Sequence, residues 1–205
     1  MYDYNFFLGW LLAQTKRHDW MSPRVPQPTL SISRCICEIR PETDDWLEPD
    51  RLDFLQQHER NTQESFIFLD SADSAREMNT RWYGGLFRPV TPALRPHVAE
   101  RLDAELHRAS ALSNAGNPHF RHTPLEAQTV TEKKRLAGYE AMGSAGCSYL
   151  CGHLDATLFR LFNGRLNAEG LITDGNLAER LATHINENAL GEPGFYFACA
   201  LYDEE

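Results

Sequence analysis

Hydrophobic positions along the chain switch between a period of two and the wider spacing of amphipathic helices. TLSISRCICEI (29–39) alternates Leu30, Ile32, Arg34 and Ile36 with Ser31, Ser33, Cys35 and Cys37, which predicts a strand. ESFIFLD (64–70) reads as a short apolar strand and FYFACALY (195–202) as a closing one. Pro49 suits the first turn of a helix reaching about Arg60, with Leu52 and Leu55 facing inward. Ser71 or Asp70 can cap a helix through Met78. Val98, Leu102, Leu106 and Ala109 share one face of a helix that follows Pro96.

Thr123-Pro124-Leu125-Glu126 has capping-box spacing, which predicts a helix to about Met142, stopped by GSAG (143–146). CSYLCGHLD and ATLFRLF then read as strands. Asn163-Gly164 signals a type I′ hairpin with RLNAEGLI (165–172) as the return strand. Asp174 can cap a last helix holding Leu177, Leu181 and Ile185. Strands and helices do not alternate regularly. The expected class is therefore α+β, with mixed or antiparallel sheets and flanking helices.

WYGGLFRPVTP (82–92) reads as irregular or extended, and Pro89, Pro92 and Pro96 fall within eight residues. Prolines fix φ and remove donors, so they suit either a structural corner or the rim of a cleft. SPRVPQP (22–28) carries three more. The expected organisation is an N-terminal arm and proline-rich linker over 1–28, then one α+β domain over 29–205. The apolar run from Phe6 to Ala13 is far shorter than the roughly 20 residues of a membrane span. It is an amphipathic anchor, a partner-binding arm, a docked terminal helix or a flexible arm.

With 205 residues, 42% of them apolar, the chain can build a substantial core. Its net charge of −9 argues against direct nucleic-acid binding, which depends on neutralising phosphates. The most basic run, Lys133-Lys134-Arg135, falls on the expected 123–142 helix and reads as a solvated face. Five cysteines, an odd number in a chain of this size, favour a reducing compartment over a disulfide framework.

Cys147-x-x-x-Cys151-x-His153 and Cys35-x-Cys37 invite zinc, but both fall in expected strands, where cysteine serves as a small core residue. Cys151 and His153 share a strand face and could form a thiol nucleophile with its base. A carboxylate pair could hydrolyse a glycoside, but 29 acidic residues make such pairs easy to find. No glycine-rich loop carries the lysine and hydroxyl of a phosphate loop. Arg34, on the apolar face of its strand, is either a rim or ion-paired arginine or an anion holder on a cleft floor.

QESFIFLDSADSARE (63–77), GLFRPVTPALRPHVAERLDAELHRAS (85–110) and GFYFACALY (194–202), with TLSISRCICEI before them, resemble the RolB/RolC-like plasticity proteins of agrobacterial T-DNA. The resemblance implies an effector that modulates plant growth and development through host proteins, in the host cytoplasm and often reaching the nucleus. It also implies a fold like that of ADP-ribosyltransferase toxins, with NAD in a cleft between small sheets. Sugar-conjugate hydrolysis is a further activity it brings. On the transferase reading Arg34 is the basic residue, Thr91 offers a hydroxyl near the ribose and Tyr196 is the late aromatic ring. Phe68 and Tyr83 supply further rings for the nicotinamide. The chemistry also needs a carboxylate beside the oxocarbenium-like centre, and Glu192 and Glu204 lie nearest a late strand end. The toxins' Ser-Thr-Ser strand and the acidic tail of some RolB/RolC-like proteins are absent.

The transferase alternative carries its own test. A ligand bound only by the folded chain raises the melting temperature. Millimolar NAD is expected to raise it if Arg34, Thr91 and Tyr196 line one cleft, and no shift counts against the enzyme.

Overall fold

FYFACALYDE alternates side chains to two sides, and both sides are apolar. In the computed structural model, which describes residues 4–13, 49–63, 66–113, 123–130, 134–144, 148–152, 164–190 and 194–204, this segment is strand β7 (Tyr196–Glu204). It lies inside an antiparallel sheet. Strands β1 (Phe6–Phe7) and β2 (Leu11–Ala13) flank β5 (Arg88–Leu94), β5 pairs with β7, and β7 pairs with β6 (Lys134–Gly143). Tyr196, Ala198, Ala200 and Tyr202 pack against Leu181 and Ile185 of helix α5 (Gly175–Glu187). Phe197, Cys199 and Leu201 meet Val98, Ala99 and Leu102 of helix α3 (Pro96–Ser113) on the other side. The fold is α+β, as the irregular succession of elements predicts.

A smaller hairpin, β3 (Glu59–Gln63) and β4 (Phe66–Leu69), packs with helices α1 (Pro49–His58) and α2 (Ala72–Tyr83) around Trp10, Phe54, Leu69 and Met78. Ser71 caps α2, its side chain accepting from Ser74 N–H in a reciprocal box. The hairpin joins the main sheet through Trp10, whose N–H and C=O bond Leu69 at 2.8 and 2.6 Å.

The proline question resolves at β5. Leu8 N–H bonds Pro92 C=O at 3.0 Å, so this edge of Pro92 faces the N-terminal segment, and the ring leaves it without a donor there. The pairing segment breaks at that point into β1 and β2. Gly9 fills the break with φ +122°, and a Cβ there would lie 2.9 Å from Leu69 O. Thr91 Oγ1 donates to Gly9 C=O at 2.8 Å, supplying the bond that Pro92 cannot. The prolines mark a structural corner.

Several expectations change. Residues 4–13 are neither a helix nor a separate arm but sheet strands, with Phe7, Leu8 and Leu11 buried. The boundary expected at 28/29 and the 29–39 strand lie outside the described residues. The helix expected over 123–142 is replaced at its end by β6. Its capping signal is spent elsewhere: Thr123 donates to Arg60 C=O, and Leu125 N–H bonds Asp103. Lys134 and Arg135 therefore sit on a strand, where Arg135 binds Asp203 through two bonds of 3.1 and 2.8 Å. Asp203 also pairs with Arg88, so guanidinium groups from both neighbouring strands neutralise it.

Tyr149–Gly152 forms a short helix, α4, where a strand was expected. Residues 164–172 form tight turns with isolated bridges rather than a return strand. Asn167 explains this: its amide donates to Ala137 C=O and accepts from the N–H groups of Glu169 and Leu171. The loop closes onto a bulge at Gly138, where a Cβ would lie 2.7 Å from Leu171 Cβ. The 82–92 segment is more regular than expected, with α2 reaching Tyr83 and β5 beginning at Arg88.

Thr91→Val keeps the shape but leaves Gly9 C=O buried and unpaired. We expect a loss of about 2 kcal/mol, measured as a fall in melting temperature of about 4–8 °C. A variant as stable as the parent would remove this account of the corner.

Candidate functional site

Thr91 and Tyr196 face the same side of the sheet but stand apart. Thr91 is in register with Tyr202, six residues from Tyr196, or roughly 20 Å along β7. The Thr91 hydroxyl is buried in its bond to Gly9, and Phe68 is fully buried. Arg34, Cys35, Cys37, Cys147 and His153 lie outside the described residues, as does the side chain of Cys151. Among the described residues of the sequence-predicted set, Tyr196 alone lines the groove described below, while Tyr83 belongs to a surface corner. Gln57-His58-Glu59 closes α1 and opens β3, with His58 Nδ1 3.2 Å from Asp70 Oδ2. It does not line the groove.

The corner joins α2 to β5. Asn79 fixes it, donating to Phe87 C=O at 2.6 Å and accepting from Phe87 N–H at 3.0 Å. Trp82, Tyr83 and Phe87 are half-buried, and Leu86 is 63% exposed. Arg81 lies over the Trp82 ring at 4.6 Å. Arg51 lies over Tyr83 at 5.2 Å and bonds its hydroxyl. Burial pushes the Tyr83 phenol up to about 12, against the opposing pull of Arg51, so at neutral pH it stays a neutral hydrogen-bonding group.

The groove lies at the other end of β5. β7 runs on past the β5 register, and residues 196–198 form the floor of a cavity of about 190 Å³ between α3 and α5. Asn186 stands in for a strand there: its amide donates to Tyr196 C=O and accepts from Tyr196 N–H, both at 2.7 Å. The rim holds His97, Arg101, Glu179 and Thr183.

A third cluster is sealed in the core. Glu140 is 1% exposed and accepts from Ser148 Oγ at 2.7 Å and Ala141 N–H at 2.8 Å. Burial pushes its carboxyl up to about 7, although these bonds and one from the Leu150 backbone pull the other way. Its register partner Cys199 is buried too, its thiol pushed up by burial and by the Glu140 charge. A carboxyl tuned near neutrality suits proton transfer, but Glu140 does not line the groove, and its bonds tie β6 to the start of α4. Sequence offered one sign of it, a glutamate on an otherwise apolar strand face.

No protein-family model, curated protein or solved structure matches the chain.

Between pH 4.5 and about 7 the folded chain holds a proton on Glu140 that the unfolded chain has released. Stability should therefore fall by about 3 kcal/mol as pH rises through this window, with the cost fully present above it. Glu140→Gln should flatten that part of the curve in urea unfolding at pH 5, 6, 7 and 8. An unchanged slope would assign the dependence elsewhere.

Proposed function

We propose that the chain is an effector that modulates plant growth by binding a host protein, inside the host cytoplasm or nucleus, with the α2–β5 corner as its contact surface. One observation carries this: a half-exposed cluster of Trp82, Tyr83 and Phe87 with Leu86 projecting from it, flanked by Arg51 and Arg81. Tryptophan, tyrosine and arginine dominate binding hot spots, because they bury large areas and keep a polar edge. Asn79 holds the turn in place, so little ordering cost falls on association. The partner offers an apolar socket for Leu86.

Two further points support the reading over catalysis. The segment that resembles RolB/RolC-like proteins over 85–110 begins at this corner. Two of the groups the transferase reading draws on are spent in packing, with Thr91 bonded to Gly9 and Phe68 in the core.

Leu86→Asp removes the apolar projection at little cost to folding, since the side chain is exposed. Expressed in plant tissue, the parent chain should alter growth, Leu86→Asp should not, and Leu190→Asp, at another exposed leucine, should act like the parent. A parent without effect would overturn the effector reading. A fully active Leu86→Asp variant would overturn the choice of surface.

A further inference from the structure

The groove between α3 and α5 plays no part in the partner-binding corner, which lies at the opposite end of β5. We propose that it binds a small organic carboxylate: an apolar body of benzoate size carrying one negative charge.

Size sets the first limit. A volume of about 190 Å³ is a little above the roughly 150 Å³ cavity that holds benzene, and below the roughly 300 Å³ at which drug-sized pockets begin. Scaled from benzene, that corresponds to about eight non-hydrogen atoms, close to the size of benzoate. The walls set the second. Val98, Ala182, Phe195 and Phe197 make part of the wall apolar, enough to meet one face of a flat ring, while the rest of the groove is polar and open to solvent.

Charge sets the third. Glu179 on the rim is already committed, bound by Arg95 at 2.7 Å and approached by the Tyr4 hydroxyl at 3.5 Å. It neither attracts a cation nor neutralises the opposite wall. Arg101 does carry available charge. Its guanidinium carbon lies 3.9 Å from the centre of the Phe195 ring, so the ring supports it. Its contact with Glu105 is a 3.8 Å approach between exposed side chains one helical turn apart, which is worth little. A guanidinium supported on a ring and weakly paired is well suited to grip a carboxylate edge-on. His97, one turn before Arg101, and Thr183 across the groove are exposed and can add hydrogen bonds to the same oxygens.

Benzoate is the probe and benzamide its neutral isostere. Titrated into amide-labelled protein, benzoate should give saturable shifts at Arg101, Thr183 and Asn186, and benzamide should bind at least about tenfold more weakly. Arg101→Gln should weaken benzoate by a similar factor, while Arg108→Gln, an exposed arginine farther along α3, should leave it unchanged. Both sites are exposed, so the variants should fold, and their unligated spectra will show it. Thr183→Trp, which fills the mouth, should also abolish the shifts. The proposal is overturned if millimolar benzoate leaves these resonances in place, if benzamide binds equally well, or if Arg101→Gln binds like the parent.

Discussion

A strand buried on both faces still has two edges of backbone donors and acceptors, and in a dry interior each must be met. β7 is such a strand, and its needs shape most of the molecule. β6 satisfies one edge along its whole length. β5 satisfies the other only through residues 200–202, because it then turns into α3. At Tyr196 the missing neighbour is replaced by the amide of Asn186. The two cores that β7 separates, one under α5 and one under α3, hold their positions because this central strand is fixed.

The same device recurs. Asn79 bonds both backbone groups of Phe87, and Asn167 gathers three backbone groups at the β6 bulge. A side-chain amide has a donor and an acceptor, as a peptide unit does, so it can act as a strand one residue long. Two of the three asparagines lie near the ends of helices that lead into strands, and there they set where the next strand begins. Both the surface corner and the groove owe their shape to this substitution.

How far the sequence could be read follows from which signals were local. α1, α2, α3, α5, β4 and β7 could be placed because periodicity and capping residues sit within the element itself. Ser71 and Asp174 cap the helices they were expected to cap. β6 was misread because the Thr123–Glu126 signal looks the same whether its groups cap a helix or bind Arg60 and Asp103, residues distant in sequence. The N-terminal strands were missed because β1 and β2 are two and three residues long and gain their order chiefly from the distant β5. Asparagine clamps leave no pattern, since one amide among many polar residues gives no periodicity. Of the candidate site, Tyr196 was legible as a late aromatic, while Arg101 was hidden on the polar side of an ordinary amphipathic helix.

The order of strands across the main sheet also bears on how the chain comes into being. β1 and β2 are made well before their main partner β5, about eighty residues later. β5 in turn stays open on its other edge until β7 emerges about a hundred residues later. Most pairing in the main sheet must wait for β5 and β7, so the nascent chain carries unpaired apolar strands over long stretches of synthesis. Such a topology folds slowly and late, and during that interval protection by chaperones matters more than the final stability of the product.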